Sequence, residues 1–249
     1  MCKLWLGFRA CVFYVGFYAA TIVVSCVCML LAPLLLSPLV SYNTRFKVIT
    51  SANYFYNAWL RLCCGVKVKV EGKENLPTSG AYVVVANHQS EWETLFLQTL
   101  VRPQSAVLKK ELLKIPFFGW ALAMLRPIAL DRSQRRGALK QLLSQGKDRL
   151  LSGIPVLIFP QGTRVEKGKI GKFNKGGAML AASAKVQVVP MVHDAAYCWP
   201  GKSFIKTPGT VTLRIGKPID TDGLSVDEVH ELSKTWLVEN MQSLDEKHG

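Results

Sequence analysis

Between Arg9 and Arg45 the chain runs through 35 consecutive uncharged positions, most of them apolar. Residues 10–32 contribute 23 of these without a proline, enough at about 1.5 Å per residue to cross a hydrocarbon core of roughly 30 Å. The pattern predicts one long apolar helix, broken or kinked at Pro33 and Pro38. Lys3 and Arg9 look like the start of a secretory signal, but the apolar core is too long and no small-x-small site closes it. After Asn43 a second helical stretch is predicted, with Phe46, Ile49, Tyr56, Trp59, Leu60 and Cys63 near helical spacing. Arg45, Lys47 and Arg61 punctuate it, so it is expected to lie at a membrane interface. Either residues 10–32 span the bilayer, or the two helices form a hairpin dipping into one leaflet. The basic excess that follows places the remainder on the cytoplasmic side in both cases.

From about Val66 the pattern changes to short β-branched runs alternating with helical periodicity. Strands are predicted at 66–70, 81–86, 105–108, 127–130, 154–159, 186–192 and 210–215, and helices at 91–101, 117–125, 133–151, 175–184 and 226–242. Such alternation predicts an α/β fold with a mixed, mostly parallel sheet flanked by helices. The expected division is residues 1–65 as membrane-anchoring helices and 66–249 as a catalytic domain with a C-terminal helix.

Composition sharpens this picture. The 249 residues are 49% hydrophobic and 19% charged, yet carry a net charge of +14, which calls for an anionic partner. The charge is unevenly spread: residues 101–175 hold 16 basic and 4 acidic groups, whereas residues 219–249 hold 2 and 8. Residues 131–175 contain only Phe159 and Phe173 as aromatics, too few for the base-stacking platform of a nucleic-acid binder. The seven cysteines lack zinc-ligand spacing, so no metal is expected and a reduced protein is.

Two strand ends carry candidate chemistry. The strand 81–86 runs into Asn87, His88, Gln89, Ser90, Glu91, Trp92 and Glu93, where open α/β sheets collect ligands. A histidine with a carboxylate in reach makes a general base, and Glu93 is placed to point back at His88. Ser90 and Glu93 also fit a capping box, and Glu91 is a rival carboxylate. The strand 154–159 runs into Phe159, Pro160, Gln161, Gly162, Thr163 and Arg164, which offer backbone N–H groups, a hydroxyl and a guanidinium to one anion.

Together these segments resemble the glycerolipid acyltransferase family, and within it the bacterial 1-acylglycerol-3-phosphate acyltransferases. The family's N-H-x-x-x-x-D block is similar to Asn87, His88 and Glu93, with Glu at the acidic place. Its F-P-E-G-T-R block is similar to Phe159 through Arg164, with Gln161 replacing Glu. An intermediate block resembles Lys109 through Gly119 followed by Ile128 to Arg132, and a fourth resembles Val188 to Pro190. The likeness covers roughly residues 66–217 in the expected order.

The resemblance implies acyl transfer from acyl-CoA or acyl carrier protein to the free hydroxyl of lysophosphatidic acid, giving phosphatidic acid without a cofactor or an acyl-enzyme. It implies that His88 and Glu93 are catalytic, that Lys109, Gly162, Thr163 and Arg164 bind the phosphate, and that Asn87, Gln161 and Arg132 support them. Lys110 remains the alternative to Lys109. The implied setting is the cytoplasmic face of a bacterial inner membrane, among phospholipid and without nucleic acid. Glycerol 3-phosphate or another lysolipid is the alternative acceptor, and a non-catalytic anionic-lipid-binding module is the alternative class. The basic residues Arg132, Arg135, Arg136, Lys140, Lys147 and Arg149 read as a solvated, membrane-apposed or carrier-facing surface. His193 is expected to pack structurally, and His230 and His248 to face solvent.

Overall fold

The computed structural model describes residues 2–131, 133 and 135–248. The absence of proline lets helix α1 run over Lys3–Leu30, and Pro33 then falls in the short helix α2, Ala32–Leu35. The predicted second helix is two helices, α3 (Tyr42–Ile49) and α4 (Ala52–Cys64). At the break, Thr50 Oγ1 donates to the Phe46 carbonyl and Ser51 Oγ to the Val48 carbonyl, local bonds that compete with the helical ladder. Gly65, at φ 70°, closes α4 in the left-handed conformation that glycine adopts without strain.

The periodic residues of α3 and α4 face the protein: Phe46, Ile49, Tyr56 and Leu60 are buried. The outward positions are instead Val48, Phe55 and Leu62. Helix α4 lies antiparallel on α1. Arg9 Nε donates to the Cys63 carbonyl at 2.6 Å, Trp59 Nε1 to the Phe13 carbonyl at 3.1 Å, and Thr21 meets Tyr56 at 3.1 Å. Gly16 makes this approach possible, because a Cβ there would lie 2.3 Å from the Trp59 indole nitrogen.

Seven strands follow the predicted pattern: β1 (Val66–Glu71), β2 (Val83–Ala86), β3 (Ser105–Lys109), β4 (Ile128–Leu130), β5 (Val156–Ile158), β6 (Val188–His193) and β7 (Gly209–Ile215). They form one sheet in the order β1-β7-β6-β2-β5-β3-β4. Strands β6, β2, β5, β3 and β4 are mutually parallel, and β7 runs antiparallel to β6 with β1 parallel beside it. The remaining helices are α5 (Trp92–Leu100), α6 (Phe118–Ala123), α7 (Arg135–Leu151), α8 (Gly176–Ala184) and α9 (Val226–Asp245).

Strand alternation divides the core between the two faces of the sheet. Val84, Ala86, Leu157, Val189 and Met191 pack with Phe13 of α1, Leu60 of α4, and Trp92 and Leu97 of α5. Val83, Val85, Val156, Ile158 and Val188 pack with Leu142 of α7, Leu180 of α8 and Leu237 of α9. A third cluster joins the end of α1 to α2, α3 and α6 through Cys28, Leu35, Phe46 and Met124. His230 lies on the inner face of α9 and is buried, not solvent-facing. His248 places its Nε2 2.8 Å from Asp194 Oδ2 and stacks its ring on Tyr197.

Candidate active site

Parallel pairing brings the carboxyl ends of β2, β5, β3 and β4 to one edge of the sheet, the edge where ligands collect in such folds. His88 leaves the end of β2, and Glu93 lies in the first turn of α5. His88 Nδ1 is 2.6 Å from Glu93 Oε1. The same oxygen accepts from the backbone N–H of Gln89 at 3.0 Å and of Ser90 at 2.9 Å. Helix capping and histidine orientation are therefore performed by one carboxylate. Glu91 is occupied elsewhere, with its Oε1 2.5 Å from Nη1 of Arg164.

Electrostatics follow from burial. Glu93 is fully buried and the His88 side chain is 17% exposed, so the carboxylate is shielded while the imidazole reaches out. Burial pushes the Glu93 carboxyl upward, but His193, the bond and charge of His88, and the Ser90 N–H outweigh it and hold it below the usual range. An ionised Glu93 fixes the proton on His88 Nδ1 and leaves Nε2 with the lone pair. The His88 ring stacks on Phe159 at 4.4 Å between centroids. Its backbone is gripped from both sides by the β5 loop: its N–H donates to Gln161 Oε1 at 2.6 Å, and its carbonyl accepts from the Val165 N–H at 2.8 Å. Gln161 Nε2 donates to the Ile170 carbonyl. An amide serves both bonds, whereas a glutamate would set an anion against that carbonyl.

Asn87 locks β2 to β6, with Nδ2 donating to the His193 carbonyl at 2.8 Å and Oδ1 accepting the His193 N–H at 2.9 Å. His193 is structural, as expected. Its Nε2 lies 3.0 Å from the Asn87 carbonyl and its Nδ1 3.3 Å from the Ala195 N–H, which fixes a neutral tautomer. Burial, only partly offset by Glu93, lowers its pKa.

Gly162 takes φ 71° in a turn closed by its N–H on the Phe159 carbonyl, and Thr163 and Arg164 follow, exposed. Lys109 ends β3 and Lys110 opens the next 3₁₀ turn, both exposed. Since β3 is two places from β2 in the sheet, Lys109 lies on the same edge, displaced by roughly 10 Å. The structure thus bonds His88 to Glu93 and Gln161, ties Asn87 to β6 and Arg164 to Glu91 beside them, and sets Lys109 at their flank. Arg132 lies outside the described residues. Sequence reasoning missed the Glu91–Arg164 pair and the Val165 clamp on His88. It also missed Lys206, 1% exposed, whose ammonium donates to Tyr14 Oη at 2.7 Å and to the Ser203 and Phe204 carbonyls at 2.8 and 3.1 Å. A lone lysine in a loop gives no periodic signal. Among the described residues no group of three or more metal-ligating side chains occurs.

The acyltransferase family model matches residues 67–194, just over half of the chain. A 1-acyl-sn-glycerol-3-phosphate acyltransferase from Pseudomonas aeruginosa is 41% identical over 213 residues, 84% of this chain and 82% of the relative. One from Saccharomyces cerevisiae is 32% identical over 201 residues, covering 79% of this chain and 65% of its own length. The crystal structure of PlsC from Thermotoga maritima, a 1-acyl-sn-glycerophosphate acyltransferase, matches with a TM-score of 0.72 at 27% identity, covering 93% of this chain and 94% of that one. The α/β fold with its mixed, mostly parallel sheet is thus shared along almost the whole length, and the histidine–carboxylate pair lies within the matched segment: this chain belongs to the acyltransferase family and is an acyl-transferring enzyme.

Proposed function

We propose that the protein transfers an acyl group from acyl-CoA or an acyl carrier protein to the free hydroxyl of 1-acylglycerol 3-phosphate, giving phosphatidic acid. The observation that carries this reading is the 2.6 Å contact between His88 Nδ1 and the buried Glu93. With Nδ1–H held by Glu93, His88 Nε2 takes the proton of the hydroxyl as its oxygen attacks the thioester carbonyl. The tetrahedral intermediate collapses, the C–S bond breaks, and the imidazolium returns its proton to the departing thiolate. Glu93 stabilises the imidazolium between these steps. Arg164, aimed by Glu91, holds the acceptor's phosphate with Gly162, Thr163 and Lys109; Asn87 and Gln161 keep the two strand ends in place.

Residues 1–65 are the membrane anchor and residues 66–249 the catalytic domain. The exposed apolar face of α1, with Val15, Ile22 and Val23, supports insertion into the bilayer. Helix α1 is held against the rest of the protein from Arg9 to Cys28, which favours burial in one leaflet over a free-standing span. The catalytic edge would then face phospholipid on the cytoplasmic side of a bacterial inner membrane.

The test is turnover of labelled acyl-CoA with lysophosphatidic acid, comparing wild type with His88→Ala. Wild type should form phosphatidic acid and the variant essentially none, with both proteins remaining in the membrane fraction. Equal turnover would sink the mechanism; wild-type turnover only with glycerol 3-phosphate or another lysolipid would reassign the acceptor.

A further inference from the structure

We infer that the groove between α7 and α8 is the docking surface for an acidic acyl carrier protein, which seats a negatively charged amphipathic helix there and delivers the thioester to His88. The inference rests on the acyl-transfer reading above and names the partner that brings the donor.

The groove holds about 510 Å³ and is lined by Arg136, Leu139, Lys140, Leu143, Lys147 and two serines. Relative to Arg136, Lys140 is four positions on and Lys147 eleven, so at 3.6 residues per turn all three project within about 40° of one another. They form a stripe roughly 16 Å long. Leu139 and Leu143 lie along it, half-buried, and supply an apolar floor. Cations beside an apolar floor complement a helix that carries acids beside its own apolar residues.

The cations of this stripe are uncompensated. The only acid in α7 is Asp148, and it is taken by Arg126 and Arg149. Helix α9, which holds most of the chain's C-terminal acids, directs Asp227 to Lys175 and Glu231 to Lys234. Among the described residues Arg136, Lys140 and Lys147 make no ion pair, and all three are exposed.

Placement in the fold decides between a lipid and a soluble partner. Helices α7, α8 and α9 cover one face of the sheet and α1, α4 and α5 the other. The basic stripe is therefore on the face of the sheet opposite the apolar helix α1, which favours a soluble partner. The groove also points at the chemistry. Helix α7 packs against β4 and β5, and α8 against β2 and β6, so the groove lies on the outer side of the helices that back β5 and β2, whose ends carry Phe159 and His88. Helix α7 starts just past the end of β4, so its first turn, which carries Arg136, lies near the catalytic edge. A carrier seated here could pass a thioester arm over that edge while the acceptor enters from the membrane.

The experiment compares two donors bearing the same acyl chain, acyl-CoA and acyl carrier protein, with lysophosphatidic acid as acceptor. The variants are Lys140→Glu with Lys147→Glu, and Arg136→Glu added to both. We expect KM for the acylated carrier to rise at least tenfold while kcat/KM for acyl-CoA stays within twofold, which also reports that the variants fold. Wild-type kcat/KM with the carrier should fall steeply with salt, and the triple variant should lose most of that dependence. An unchanged KM for the carrier, or equal losses with both donors, overturns the inference. So does loss of binding to anionic phosphatidylglycerol vesicles, which would assign the stripe to lipid. Wild type active with acyl-CoA but inactive with the carrier overturns it and leaves the acyl-transfer reading standing; inactivity with both donors overturns that reading itself.

Discussion

Glu93 occupies a site where burial alone would protonate a carboxyl, yet its oxygen Oε1 receives the imidazole and two backbone N–H groups. Those donors, with His193, tip the balance to the ionised form, and the charge is what stabilises an imidazolium. Glu93→Gln keeps the shape and an accepting oxygen but removes the charge. Steady-state kinetics with acyl-CoA should show kcat reduced by roughly 10²–10⁴, the range of a general base's contribution, with little change in KM for lysophosphatidic acid. Glu93→Asp restores the charge one methylene short of the ring and should recover part of the loss. A Gln variant with full kcat would show that Glu93 only caps α5. The two roles share one atom, which is why the spacing Ser90-x-x-Glu93 could not separate them in the sequence. The choice between Glu91 and Glu93 was equally hidden, because it depends on Arg164, 73 positions further on.

Lys206 works at the scale of elements. Its three donors tie the loop after β6 to Tyr14 of α1, and its charge lies over the rings of Tyr14 and Trp199. Further along the loop, Gly201 packs on the Arg164 side chain and the Gln89 carbonyl, so the clasp connects α1 to the wall of the site. Burial lowers the ammonium's pKa to about 8, with Glu91 offsetting part of the effect. Above that value the folded protein releases a proton that the unfolded chain keeps until about 10.5, so stability rises with pH across this window. Lys206→Met leaves the Ser203 and Phe204 carbonyls without their donor, at a cost of about 1–3 kcal/mol at pH 7, and should abolish the rise between pH 8 and 10. Thermal unfolding in detergent at pH 7, 8, 9 and 10 reads both effects; a slope unchanged in the variant would assign the titration elsewhere. The strands and helices after Val66 were legible because alternation and 3.6-residue periodicity set their phase. Helix α1 is apolar all round, so no phase revealed which side meets Trp199 and Trp59. His230 shows the opposite failure: with Ser233, Leu237, Met241 and Leu244 it follows a buried helical stripe, and the surrounding acids masked that pattern.

For the whole molecule, the division of apolar surface sets how the enzyme meets its substrate. Leu30, Leu34 and Leu39 stand exposed around the end of α1, with Leu39 at 94%, and Ile115, Phe117 and Trp120 are exposed next to α6. Helix α6 packs on the end of α1, so these residues belong to neighbouring parts of one apolar surface, far larger in extent than isolated leucines on a soluble protein. Lys109, Lys110 and Lys114 lie beside it, where each cation near anionic lipid adds roughly 1 kcal/mol. The acceptor carries its own acyl chain and phosphate, so a surface with apolar residues next to lysines is suited to receive it directly from the bilayer. Replacing Leu30, Leu34 and Leu39 by serine removes roughly 1.5–3 kcal/mol of apolar transfer at each position and disturbs no buried contact. Sedimentation with phosphatidylglycerol-containing vesicles should show the bound fraction falling steeply, while turnover of a short-chain lysophosphatidic acid dispersed in detergent stays within about twofold. Loss of both together would mean that the three leucines support the fold of the site. Undiminished vesicle binding would place the membrane against another face, and the route of the acceptor would have to be redrawn with it.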